Sequence, residues 1–171
     1  MSDAELTHVA DSGQARMVDV SGKPATLRTA RAAGMVRCSD EALELIATNS
    51  LAKGSVIETA RLAGIMAAKR TAELIPLCHP LPLRHVDVEI GLDRIVPAVM
   101  IEASARVEGP TGVEMEALTA VAVAALTVID MIKAVDRWAT IDSIRLLTKD
   151  GGRSGSLRRP LDQPGTDPPG G

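Results

Sequence analysis

Asp130 and Lys133 stand three residues apart on a long apolar stretch, a carboxylate and an ammonium on neighbouring helical turns. At about 100° per residue they share a stripe with Glu116, Thr119, Thr127 and Arg137. The rest of the circumference is almost wholly Ala, Val, Leu, Ile and Met, apart from Glu114 and Asp136. A solvated face on a core helix accounts for such a stripe. Four of its turns are nearly free of charge, however, with Val123 and Leu126 interrupting, and that predicts partial burial. Beside an apolar surface a carboxylate and an amine shift their proton affinities, as acid–base catalysis requires. Glu116 and Asp130 are 14 positions apart, about 21 Å along a straight helix. One small-molecule pocket can use both only if two subunits supply them.

His79 lies between Cys78 and Pro80, with Pro76 and Pro82 on either side. The following proline disfavours helical backbone at His79. Its imidazole is therefore either a structural group or a donor and proton shuttle held on a stiff, extended segment. The run Lys149-Asp150-Gly151-Gly152-Arg153-Ser154-Gly155 combines cations with glycines that free backbone N–H groups for an anion. It lacks P-loop spacing and precedes no helix, so a frayed basic tail is the competing reading. Lys53, at the start of a helix, is a surface residue or a phosphate partner. Cys38 and Cys78 are expected to be reduced and buried. No repeated ligand spacing in the sequence makes a structural zinc motif.

These groups need a frame to position them. Residues 1–28 have no sustained period and predict an irregular arm. Thr29–Arg37 predicts a short strand, and Ser39 an N-cap for a helix over about 40–48. Gly54–Leu74 contains no proline and repeats Ala60, Ala63, Gly64, Ala67 and Ala68, which predicts one helix with a slim face for a tightly packed neighbour. Gly64 costs about 1 kcal/mol against Ala in a helix, and close approach of another backbone would explain it. Val86, Val88 and Ile90 alternate with Asp87 and Glu89; Val99, Ile101, Ala103 and Ala105 alternate likewise with polar neighbours. Together they predict an antiparallel hairpin. After the turn Gly109–Gly112 come a helix from Val113 to about Arg137 and a strand over roughly Thr140–Leu147. Without the short extra helix, this is the split βαβ order of an α+β, ferredoxin-like sandwich, an antiparallel sheet packed against helices. Residues 1–155 would form this single domain, and 156–171 a flexible tail.

Composition removes several classes of function. The chain of 171 residues is 46% apolar with a net charge of −3, and its one aromatic residue is Trp138. Single-stranded nucleic acid is bound by stacking on aromatic rings, so no nucleic-acid partner is expected. The longest uncharged run, Ala117–Ile129, is 13 residues, against about 20 for a membrane span. Met1–Glu5 carry no basic-then-apolar export signal, so a cytoplasmic location without a membrane partner is expected. A core of small aliphatic side chains buries less area per residue than one with aromatics, which argues for help from subunit contacts.

Read together, Met17–Ser21, Lys53-Gly54, Thr59–Ile65, Ala67–Thr71, Leu74–Leu81, Gly112–Ala120, Asp130-Met131 and Lys133–Val135 resemble the MoaC family of cyclic pyranopterin monophosphate synthases, in order and at the family's spacing. The resemblance runs from about Leu6 to Gly155. It implies a lyase of molybdenum-cofactor biosynthesis that converts 3′,8-cyclo-7,8-dihydroguanosine 5′-triphosphate to cyclic pyranopterin monophosphate and pyrophosphate. It further implies Asp130 as active-site carboxylate, Lys133 as its acid–base partner, and Leu77-Cys78-His79 and Met115-Glu116 as substrate-binding segments. Arg28, Lys53 and Lys149 fall where the family places cations around phosphates, and Glu114 is a further pocket candidate. A homohexamer, a trimer of dimers with pockets between subunits, is implied as well. No carboxylate cluster demands a resident metal, so no cofactor is expected beyond any Mg²⁺ carried in with the triphosphate.

Three positions depart from the family pattern. Ser55 stands where many members have Asp, Ile129 where a Tyr often precedes the active-site Asp, and Arg153 where Lys is usual. The first would weaken a partner of Lys53; Arg keeps the charge but changes donor geometry. A non-catalytic nucleotide-sensing module, or degenerate paralogue, on the same fold is the rival from another class. It would bind the triphosphate through Lys53, Lys149 and Arg153 and release nothing.

Overall fold

In the computed structural model, residues 13–52, 54–152 and 155–160 are described. Lys53, Arg153, the first twelve residues of the arm and the tail beyond residue 160 lie outside the described residues. The elements are β1 (Thr26–Arg37), α1 (Asp40–Ala47), α2 (Val56–Ala68), α3 (Thr71–Leu74), β2 (His85–Asp93), β3 (Ala98–Gly109), α4 (Glu114–Ile132), β4 (Thr140–Asp150) and β5 (Leu157–Arg158). The sheet runs β2-β3-β1-β4-β5, antiparallel throughout. This is the predicted ferredoxin-like α+β sandwich.

Small residues decide how the layers meet. Ala30, Ala32 and Val36 of β1 alternate inward with Gly34, as do Val99, Ile101, Ala103, Ala105 and Val107 of β3. Against this shallow floor α4 lies close: a Cβ at Gly34 would sit 2.8 Å from Val121 Cγ1. The close approach predicted for Gly64 is present, since a Cβ there would lie 2.9 Å from the Ala120 carbonyl oxygen of α4. Trp138 takes no part in this core and is 89% exposed.

Element ends differ from the sequence reading in several places, among them β4, which runs to Asp150 instead of about Leu147. The helix expected over 54–74 breaks after Ala68, because Arg70 leaves helical backbone (φ −114°) and the buried Thr71 hydroxyl donates to the Ala68 carbonyl at 3.0 Å. The longest helix stops at Ile132 instead of about Arg137. Its continuation is diverted because the Asp136 carboxylate accepts from the backbone N–H groups of Ser39 (2.7 Å) and Trp138 (2.9 Å). The arm gives way to β1 at Thr26, so Arg28 is a strand residue. Leu157–Arg158, expected in a flexible tail, pair with Thr148 and Lys149 as β5.

Counting uncharged residues also understated α4. Its 19 residues are long and apolar enough to cross a membrane by length and composition. More than half of it is nevertheless buried against the sheet and α2, the place of a core helix.

Candidate active site

The site forms at the sheet end where β1 begins and β3 finishes. Thr26 pairs with Gly109, and Thr29 and Ala30 with Asp150 and Lys149, so Arg28 and Lys149 arrive side by side. Lys149 and Asp150 therefore belong to a strand, and the loop proper starts at Gly151. Its glycines do more than expose N–H groups. Gly151 (φ +95°) and Gly152 (φ +76°) adopt left-handed backbone that favours glycine. A Cβ on Gly152 would stand 2.1 Å from Arg28 Nη1, and one on Gly151 2.4 Å from the Leu27 carbonyl oxygen. The guanidinium thus lies under the loop, with Arg28 Nε donating to the Gly109 carbonyl at 2.9 Å.

Arg28, Lys149 and Lys23 line a cleft of about 590 Å³ with Thr111, Gly112 and Glu114. Glu114 folds back over Gly112, where a Cβ would collide with its carboxylate. Thr111, Gly112 and Glu114 also line an adjoining pocket of about 130 Å³. There the other wall is Leu77, Cys78 and His79, closed by Met115 and Glu116. A third cavity, of about 120 Å³, shares His79, Leu81 and Glu116 and faces the α2–α3 elbow.

Electrostatics single out Glu116. It is 4% exposed in the first turn of α4, and burial pushes its carboxyl up to about 7, with the charge of Glu114 acting the same way. Burial, then the charge of Glu116, raises the Cys78 thiol. Burial and the carboxylates of Asp136 and Asp40 push Cys38 up to about 11. Both thiols are free, but half-buried where the sequence reading expected burial.

Eight of the sequence-selected residues thus converge: Arg28, Leu77, Cys78, His79, Glu114, Met115, Glu116 and Lys149. Asp130 and Lys133 do not join them. Their ion pair, 2.7 Å long, sits near the opposite end of α4 with both side chains 60% exposed, so the partial burial expected of them is absent within one chain. Only the N-terminal part of that stripe, Glu116 and Thr119, is buried. Of the departures, Ser55 caps α2, its Oγ accepting from Glu58 N at 3.3 Å, and Ile129 packs half-buried against the core. Among the described residues, no three His, Cys, Asp or Glu side chains could hold a metal ion.

Two residues of this region were not among the site candidates read from the sequence, although Asp19 lies in the matched segment Met17–Ser21. Lys23 enters the cleft through the turn closed by its N–H on the Val20 carbonyl, 3.0 Å. Asp19, whose carboxyl is lowered chiefly by hydrogen bonds from Ser21, also feels the charge of His79. A polar stretch without period hides both; the turn residues Ser21-Gly22 were the available signal.

Fold and site together define a ferredoxin-like domain with a cationic cleft leading to a half-buried imidazole and a carboxyl poised near neutrality. The MoaC family model matches residues 17–152. A cyclic pyranopterin monophosphate synthase of Thermomicrobium roseum is 59% identical over 160 residues, 94% of this chain and 96% of that protein. One from a Methylobacterium species is 61% identical over 153 residues, covering 90% and 96%. One from a Roseiflexus species is 59% identical over 154 residues, covering 90% and 98%. The chain belongs to the MoaC family.

Proposed function

We propose that this protein is a cyclic pyranopterin monophosphate synthase, a lyase acting in molybdenum-cofactor biosynthesis on 3′,8-cyclo-7,8-dihydroguanosine 5′-triphosphate. The observation that carries this reading is the continuity of the cationic cleft with the His79–Glu116 pocket through Thr111, Gly112 and Glu114. Arg28, Lys149 and Lys23, with Lys53, hold the phosphates, and the purine-derived end lies against Leu77, Cys78, His79, Met115 and Glu116. As a ribose-derived hydroxyl attacks the α-phosphate, the P–O bond to pyrophosphate breaks, and the cations neutralise the charge gathering on the leaving group.

Asp130 and Lys133 supply acid–base catalysis to the cleft of a neighbouring protomer. Support comes from their distance from their own cleft: they lie 16 and 19 positions beyond Glu114, about 24 and 28 Å at helical rise. The face of α4 that leads to them leaves Met115 and Leu126 exposed, and α2 beside it exposes Leu62 and Met66, apolar surface suited to a second copy. The assembly is a homohexamer, a trimer of dimers, in the cytoplasm, with no nucleic-acid or membrane partner. The reaction needs no resident cofactor; Mg²⁺ enters only as an escort of the triphosphate.

Purified protein given the cyclic dihydroguanosine triphosphate is expected to release pyrophosphate and form the pyranopterin. Tight binding with no release, beside an active relative, would replace this reading with the nucleotide-sensing one.

A further inference from the structure

Resting on the reaction proposed above, we infer that the cavity behind His79 and Glu116 is a proton entrance and exit that stays open while the nucleotide fills the front cleft. His79, Leu81 and Glu116 line the front pocket and the rear cavity alike, so they form the partition between them, with the imidazole and the carboxyl as its two proton-carrying groups. The rear cavity, about 120 Å³, has room for several waters. Part of its lining is polar: in the single chain Lys69, Arg70 and Glu73 are exposed and open the cavity to solvent, while the buried Thr71 lies at its floor. That floor exists because the chain breaks between α2 and α3.

The reaction needs several proton transfers, and a bound triphosphate blocks the front approach from bulk water. A proton lost by the attacking hydroxyl passes to His79 or Glu116 and on to water behind them. Exchange with bulk then restores the starting state, and a proton needed for ring opening travels the same way inward. No co-reactant is required. Glu116 suits the task because its carboxyl is held near neutrality by burial and by Glu114. The other charged and titratable groups facing it are Cys78 and His79 in front and Lys69, Arg70 and Glu73 across the rear cavity.

Ala72→Leu adds three carbons to the rear wall and substitutes no residue of the front cleft. Its kcat is expected to fall about tenfold and its solvent deuterium isotope effect to rise, with KM and pyrophosphate affinity (by calorimetry) within about twofold of the unmodified protein. Glu116→Gln should lose about a hundredfold or more in kcat. If Ala72→Leu melts early, Ala72→Val gives a smaller plug and a smaller loss. Turnover and isotope effect unchanged in a folded Ala72 variant would overturn the rear path alone. Absence of turnover in the unmodified chain would remove the parent reaction and the path together.

Discussion

Gly152→Ala tests whether the glycine pair after β4 exists to seat Arg28. Both glycines sit at positive φ, +95° for Gly151 and +76° for Gly152, where a side chain costs about 1–2 kcal/mol. In a chain of 171 residues that strain lowers Tm by roughly 2–8 °C. The steric consequences then diverge. At Gly151 the new Cβ meets the Leu27 carbonyl at 2.4 Å, so backbone of β1 must move and stability suffers further. At Gly152 it meets Arg28 Nη1 at 2.1 Å, the far end of a flexible side chain, so the guanidinium swings away and the fold is spared.

Losing Arg28 from the cleft removes a charge-assisted contact to phosphate worth about 1.5–3 kcal/mol, or roughly 10- to 150-fold in Kd. Gly152→Ala should therefore weaken pyrophosphate binding at least tenfold, measured by calorimetry, with a melting loss confined to the strain. Gly151→Ala should lose more in Tm. A double-mutant cycle isolates the cause: in an Arg28→Ala background, Gly152→Ala should add almost nothing to the binding loss. An undiminished effect of Gly152→Ala in that background would refute the reasoning.

Three other outcomes follow from the same geometry. The Glu116 carboxyl is raised from 4.5 to about 7, so on raising pH the unfolded chain ionises first. Its stabilising contribution is full below about pH 4.5 and declines by roughly 3 kcal/mol as pH rises through 7. Urea midpoints should show this slope, and Glu116→Gln should flatten it. Lys133→Ala removes one half of an exposed i, i+3 pair worth about 0.2–0.5 kcal/mol, so melting should hold while pyrophosphate release is lost. Refolding it mixed with inactive His79→Ala subunits should restore partial activity; no recovery would argue against sites shared between protomers. Gly64→Ala should destabilise by about 1–3 kcal/mol in chemical denaturation, despite the better helix former, because the Cβ would press on Ala120 O at 2.9 Å.

What could be read in the sequence were the features carried by period and by single residues. Alternation of Val, Ile and Ala marked β2 and β3, Ser39 marked the start of α1, and Gly64 marked the α2–α4 crossing. The break at Ala68 was not legible, because Lys69-Arg70-Thr71 contains neither proline nor glycine; a buried hydroxyl on a carbonyl makes it, and burial is a tertiary fact. Gly151 and Gly152 were visible as an anion-friendly pair. That they clear space for Arg28, more than 120 positions earlier in the chain, depends on the pairing of β1 with β4.

The same limit explains the split among the site residues. Arg28, His79, Glu116 and Lys149 are joined by strand register and by the turn into α4, both encoded within one chain. Asp130 and Lys133 are fixed to that helix at a separation no folding of the chain can shorten, since a rod keeps its ends apart. Helical rise therefore leaves two possibilities: the pair has no part in the cleft's chemistry, or another copy brings it there. The exposed Leu126 beside the pair and the exposed Leu62 and Met66 on α2 favour the second. A second copy seated there would take those apolar side chains out of water, at about 25 cal/mol per Å² buried.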